Sequence, residues 1–137
     1  TAARASRCRS IPSSSTTSKT IPLSTIDRAA LDQFLRDVGP VAAKRLAGVF
    51  AAETRRRGEA ALRLAPAGPG PDLRREAHSL KSAARTYGAA GIAQAAQALE
   101  EACNANRAAD VAPLARTLAE TVARDLPEFE AVIAATS

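Results

Sequence analysis

The chain carries a single histidine, His78, and the residues spaced around it decide what that imidazole can do. On a wheel at about 100° per residue, Leu73, Ala77, Leu80, Ala84 and Tyr87 gather within about 40° of one direction, the apolar stripe of a helix. His78 falls about 140° away, on the solvent side. Lys81 and Ser82 follow it at i+3 and i+4, and Arg74 precedes it at i−4, the spacings that share one helix face. Arg85 lies two turns on, and Arg75 slightly farther round. This placement disfavours a histidine satisfied inside a core. Converging cations disfavour the protonated ring, and a neutral ring nitrogen is a nucleophile where an imidazolium is not. The same cations would stabilise a phosphoryl group once attached. Ser79, Ser82 and Ala83 are small, so a bulky partner can approach the ring. The competing reading is a surface histidine with no role.

Other chemistries lack their residues. One histidine and two cysteines, Cys8 and Cys103, are too few for a His/Cys zinc cage. The cysteines lie far apart and form no disulfide framework, so a reducing, cytoplasmic setting is expected. Beside His78 there are no clustered carboxylates to hold a metal, and the chain has no Gly-rich phosphate loop or lysine-containing P-loop. Neither ATP binding nor catalysis in isolation is expected. No stretch approaches the roughly 18–20 apolar residues of a membrane span.

The elements that must hold these residues read as helices. Alanine supplies 34 of the 137 residues and aromatics only 3%, a mix that favours helices packed closely on small side chains over a β-sandwich or barrel. Ser24 or Thr25 can cap a first helix carrying Ile26, Ala30, Leu31, Phe34 and Leu35, which Gly39 ends. Pro40 opens a second, to about residue 65, with Leu46, Val49, Phe50, Ala60, Ala61 and Leu64 along one stripe and Arg55, Arg56 and Arg57 on a solvated face. The Pro/Gly run at 66–72 is a break, and Asp72 is placed to cap the histidine helix, which Gly88 ends. A fourth helix from about Ala90 buries Ile92, Ala96, Leu99 and Cys103. Asp110, with Pro113 in the first turn, opens a fifth with Val111, Leu114, Leu118, Val122, Phe129 and Ile133 on its apolar face, and Pro127 is expected to kink or divide it. Short links favour antiparallel neighbours. The expected fold is all-α, an up-down-up-down antiparallel four-helix bundle with a short extra N-terminal helix, over residues 25–137.

Of the net charge of +5, residues 1–24 hold +4, from Arg4, Arg7, Arg9 and Lys19 with no acid. This Ser/Thr/Pro-rich leader reads as a flexible tail or linker. The nearly neutral remainder argues against a fold built to bind nucleic acid. With no methionine, the chain is expected to be a trimmed or processed form, or a piece of something longer.

The segment AHSLKSAARTYGAAGIAQAAQALE, residues 77–100, resembles the histidine-containing phosphotransfer (HPt) domain family. That family's pattern is alanine, the phosphorylated histidine, any residue, an aliphatic, lysine and a small residue, then a glycine about ten residues after the histidine and a Leu-Glu-like pair closing the next helix. Here these are Ala77, His78, Ser79, Leu80, Lys81, Ser82, Gly88 and Leu99–Glu100. Ser82 replaces the usual glycine, and Glu100 stands where glutamine is frequent. The resemblance implies that His78 accepts a phosphoryl group from a receiver-domain aspartate or a kinase and passes it to another receiver. Lys81 would assist electrostatically, Ser82 would let the receiver approach, and Glu100 would hold the unreactive ring nitrogen. The chain would need no cofactor of its own, since Mg²⁺ comes with the receiver. The implied partners are response-regulator receiver domains and a sensor or hybrid histidine kinase, with no nucleic acid and no membrane, and a monomer is expected. Apolar surface near His78, including Tyr87 and the end of the first helix, would dock the partner. The dimerisation domain of a histidine kinase fits less well, because its acidic residue after the histidine and its nearby proline are missing. A basic helical module binding an anionic partner or nucleic acid, and a helical interaction module in which His78 is incidental, stay as alternatives.

Overall fold

A computed structural model describes residues 26–135. They form five helices: α1 (Arg28–Val38), α2 (Pro40–Leu64), α3 (Pro71–Tyr87), α4 (Ala90–Asn104) and α5 (Ala108–Ala135), with one 3-10 turn, Ala65–Ala67, after α2. Helices α2 and α4 each pack on both α3 and α5, closing an antiparallel four-helix ring, and α1 lies across α2 and α3. There is no strand among the described residues. This is the all-α bundle with a short extra helix that the patterning predicts. The leader 1–24, and Thr25 with it, lies outside the described residues.

The chain's turns set the bundle's geometry. Asp27 caps α1, its Oδ1 accepting the Ala30 N–H at 3.1 Å, a role expected of Ser24 or Thr25. Gly39, at φ +82°, lets Pro40 begin α2 immediately. Helix α3 begins at Pro71 with Gly70 at its cap, so Asp72 is not the cap expected. Proline's fixed φ and missing N–H suit the first helical position, which leaves Asp72 inside the first turn, paired with Arg75 at 3.0 Å. Gly88 ends α3 at φ +80°, and its carbonyl accepts the Asp27 N–H at 2.7 Å. A Cβ at Gly88 would stand 2.7 Å from the Asp27 carbonyl oxygen and 3.0 Å from the Leu31 nitrogen, so the missing side chain is what lets α1 dock.

Leu31, Leu73, Leu80, Ile92, Leu99, Leu118, Leu126 and Phe129 are fully enclosed in the core. Each such side chain contributes about 1.5–3 kcal/mol by leaving water. Between them sit Ala43, Ala61, Ala77, Ala84, Ala96 and Ala102, which let the helices approach closely. The few aromatics are concentrated at one end. Tyr87 packs against Phe34 (4.6 Å between centroids) and stacks on Phe50 (4.4 Å), and Phe50 meets Phe129 edge-on at 5.3 Å.

Four local expectations are corrected. Leu46 and Val49 are exposed, because Ala43, Ala47, Phe50, Ala51 and Thr54 take the inward face of α2. Helix α5 starts at Ala108, two residues early, so Pro113 lies inside it. Pro127 does not divide α5. Pro127 and Ala123, the residue one turn earlier whose carbonyl loses its N–H partner, are both exposed, so water can satisfy that oxygen. The arginine run is more than a solvated face. Arg55 pairs with Glu130 of α5 at 3.0 Å and Arg57 with Glu76 of α3 at 2.9 Å, while Arg56 pairs within α2 with Glu53.

Candidate functional site

The tight α3–α4 turn, Gly88–Ala89, sends α4 back along α3 and brings Glu100 opposite His78. His78 Nδ1 lies 2.8 Å from Glu100 Oε2, and Lys81 Nζ lies 2.6 Å from Glu100 Oε1. The three side chains differ sharply in exposure: 57% for His78, 18% for Lys81 and 10% for Glu100. Glu100 Oε1 makes no aligned hydrogen bond, so the Lys81 contact is an ion pair. That ammonium is the main influence holding the Glu100 carboxyl below its ordinary value. Burial opposes it, and the contact with His78 reinforces it.

An ionised carboxylate only accepts hydrogen bonds, so Nδ1 is the ring nitrogen that carries a proton. Nε2, the other nitrogen of this 57% exposed side chain, has no hydrogen-bond partner among the described residues. In the neutral ring Nε2 holds its lone pair toward solvent, which is the arrangement nucleophilic attack on an external electrophile requires.

The remaining residues singled out on α3 are distributed unevenly. Ser82 is exposed one turn beyond His78, and Ser79 and Ala83 are half-buried, so the near surface is low. Arg85 is on the same face, but its Nη2 donates to Gln97 Oε1 at 2.7 Å, and Gln97 Nε2 donates to Glu101 at 2.9 Å. Arg74 is exposed, and its side chain makes no hydrogen bond or ion pair among the described residues. Tyr87, expected on a docking surface, is half-buried in the aromatic cluster, where burial pushes its phenol up. Val38, at the end of α1, is partly exposed, as are Leu46 and Val49 on α2. Cys103 is half-buried as a packing residue. Burial pushes its thiol up, against the smaller pulls of the Gly70 N–H and the Arg74 charge.

Helix spacing placed His78 and Lys81 on one face but did not show what Lys81 pairs with. Its partner is on the facing helix, and the only available signal was an acid, Glu100, next to the core residue Leu99. Among the described residues, no helix is long and apolar enough to cross a membrane.

No curated protein and no solved structure matches the chain significantly. A family model described as "Hpt domain" matches residues 45–135, taking in most of α2 and all of α3, α4 and α5. With an exposed histidine standing on the second helix of that matched bundle, the chain belongs to the Hpt domain family.

Proposed function

We propose that this chain is a phosphorelay carrier that accepts a phosphoryl group on Nε2 of His78 and passes it to a receiver-domain aspartate. Hpt domains perform histidine phosphotransfer in two-component systems and interact with receiver domains and histidine kinases. The observation that carries the assignment is the asymmetry of the ring, with Nδ1 held 2.8 Å from a buried carboxylate and a side chain 57% exposed.

Nε2 attacks the phosphorus of an aspartyl phosphate. The N–P bond forms as the bond from phosphorus to the carboxylate oxygen breaks, and the aspartate leaves as its anion. No proton moves, because Nδ1 keeps its hydrogen, and the positive charge of the phosphorylated ring is met by Glu100. The return transfer reverses each step. Lys81 keeps Glu100 ionised and in place, making both positioning residues. Ser82 keeps the surface low enough for the receiver to bring its aspartate in line. Mg²⁺ belongs to the receiver's side, where it stabilises charge on the transferring group. The chain itself binds no ATP, is a monomer, and forms only a small, transient contact with its partner.

Incubation with a phosphorylated receiver domain and Mg²⁺ should move label onto the chain in an acid-labile, base-stable form. His78→Gln should take none. Label persisting in His78→Gln, or none in the wild type, refutes the proposal.

A further inference from the structure

We propose that Arg74, and not the lysine one turn after the histidine, is the cation that binds the phosphoryl group on His78. This deepens the phosphotransfer reading and rests on it. Four cations share or border the face of His78, and three are already engaged. Lys81 is 2.6 Å from Glu100, Arg85 is bonded to Gln97 at 2.7 Å, and Arg75 is paired with Asp72 at 3.0 Å. Lys81 could turn to a phosphate only by giving up its 2.6 Å contact with the nearly buried Glu100 carboxylate. Arg74 has no such commitment among the described residues.

Its position is also unfavourable unless an anion comes. The Arg74 N–H makes the first hydrogen bond of α3, to the Gly70 carbonyl at 3.0 Å, so the side chain stands at the positive end of the helix dipole. Arg75 offsets that with Asp72, whereas the Arg74 side chain has no acidic partner among the described residues. Side chains on a helix lean toward its N-terminus, which tilts the His78 ring toward the turn that Arg74 occupies. Arg74 also lies near enough to Cys103 of α4 for its charge to act on the thiol, which places it along the same α3–α4 seam as the His78–Glu100 pair. A guanidinium can grip two phosphoryl oxygens at once, in a geometry an ammonium lacks.

The test is the equilibrium distribution of phosphoryl between the chain and a receiver domain, measured with Mg²⁺ for the wild type, Arg74→Gln, Arg74→Lys and Arg75→Gln. An equilibrium is insensitive to how well the partners dock during transfer, so it reads the stability of the phosphorylated histidine. Arg74→Gln should shift the distribution away from His78 by about threefold to fivefold at about 50 mM salt, the range of an exposed charge pair, and by less than about twofold at about 500 mM. Arg74→Lys should recover part of the loss, and Arg75→Gln should match the wild type. An Arg74→Gln distribution equal to the wild type at low salt, or a loss independent of salt, overturns the assignment to Arg74 and leaves the carrier function standing. A wild type that takes no label overturns the carrier function itself.

Discussion

Separating Lys81 from Glu100 should cost more than breaking an ordinary surface ion pair. The two charged groups are 2.6 Å apart, and their side chains are 18% and 10% exposed. Exposed pairs contribute roughly 0.2–1 kcal/mol, and stranding one member of a fully buried pair costs about 3–5 kcal/mol. Lys81 lies between these limits, because its long stem can carry the ammonium toward water when the partner is removed. A coupling energy of about 1–2 kcal/mol is expected from the double-mutant cycle of Lys81→Ala and Glu100→Ala, read by urea unfolding at pH 7. A coupling below about 0.3 kcal/mol would show that both groups are solvated in the folded protein and that Lys81 does not anchor Glu100.

The same cycle has a pH signature. Lys81 above all, with His78 adding to it against burial, holds the Glu100 carboxyl below its ordinary value of 4.5. A carboxyl with a depressed folded-state value stabilises the fold fully above the unfolded-state value. That contribution is lost as the pH falls through the lowered one. The coupling should therefore be intact at pH 7 and should fade as the pH drops below about 4.5 and passes through the folded-state value. A coupling that is the same under acid and neutral conditions would refute the ion-pair account, leaving only packing between the two side chains.

Two further outcomes follow from the backbone and the surface. Gly88→Ala should lower stability by about 2–4 kcal/mol in urea unfolding, combining a left-handed φ with a Cβ only 2.7 Å from the Asp27 carbonyl oxygen; a loss under about 0.5 kcal/mol would mean α1 does not dock there. Ser82→Phe should slow phosphotransfer from a receiver by about tenfold or more, equivalent to about 1.4 kcal/mol of misfit at the contact, while Ser82→Gly should hold or raise the rate; equal rates for the two variants would place the partner elsewhere.

What could be read in advance depended on the contrast between the two faces of each helix. On α3, leucines and Tyr87 lie opposite arginines and lysine, so the wheel separates stripe from surface and puts His78 outside, where the structure has it. On α2 the same method misplaced Leu46 and Val49, because alanines on every side let the stripe be drawn one position round. The larger aliphatics suggested a face that close helix packing assigns to Ala43, Ala47 and Ala51 instead. Caps failed in a different way. Asp72 has the right chemistry for an N-cap, but Pro71 ahead of it already has the φ and the missing N–H of a first helical residue.

The site itself divides along a sharper line. A wheel describes one helix, so it can say that His78 is exposed but not that one side of its ring is held. That second fact comes from α4, and four other interhelical links escaped the wheel for the same reason: Lys81 to Glu100, Arg85 to Gln97, Arg57 to Glu76 and Arg55 to Glu130. Glu100 entered the sequence reading only through the family pattern, whose usual residue there is an amide. An amide and a carboxylate can both accept the Nδ1 hydrogen, but only the carboxylate carries charge into a nearly closed position, and such a charge needs a counter-ion. The nearest cation on α3 is Lys81. The acid therefore holds the lysine in the α3–α4 seam, and on the proposed reading the positive charge facing a phosphoryl group on the outer nitrogen comes from Arg74.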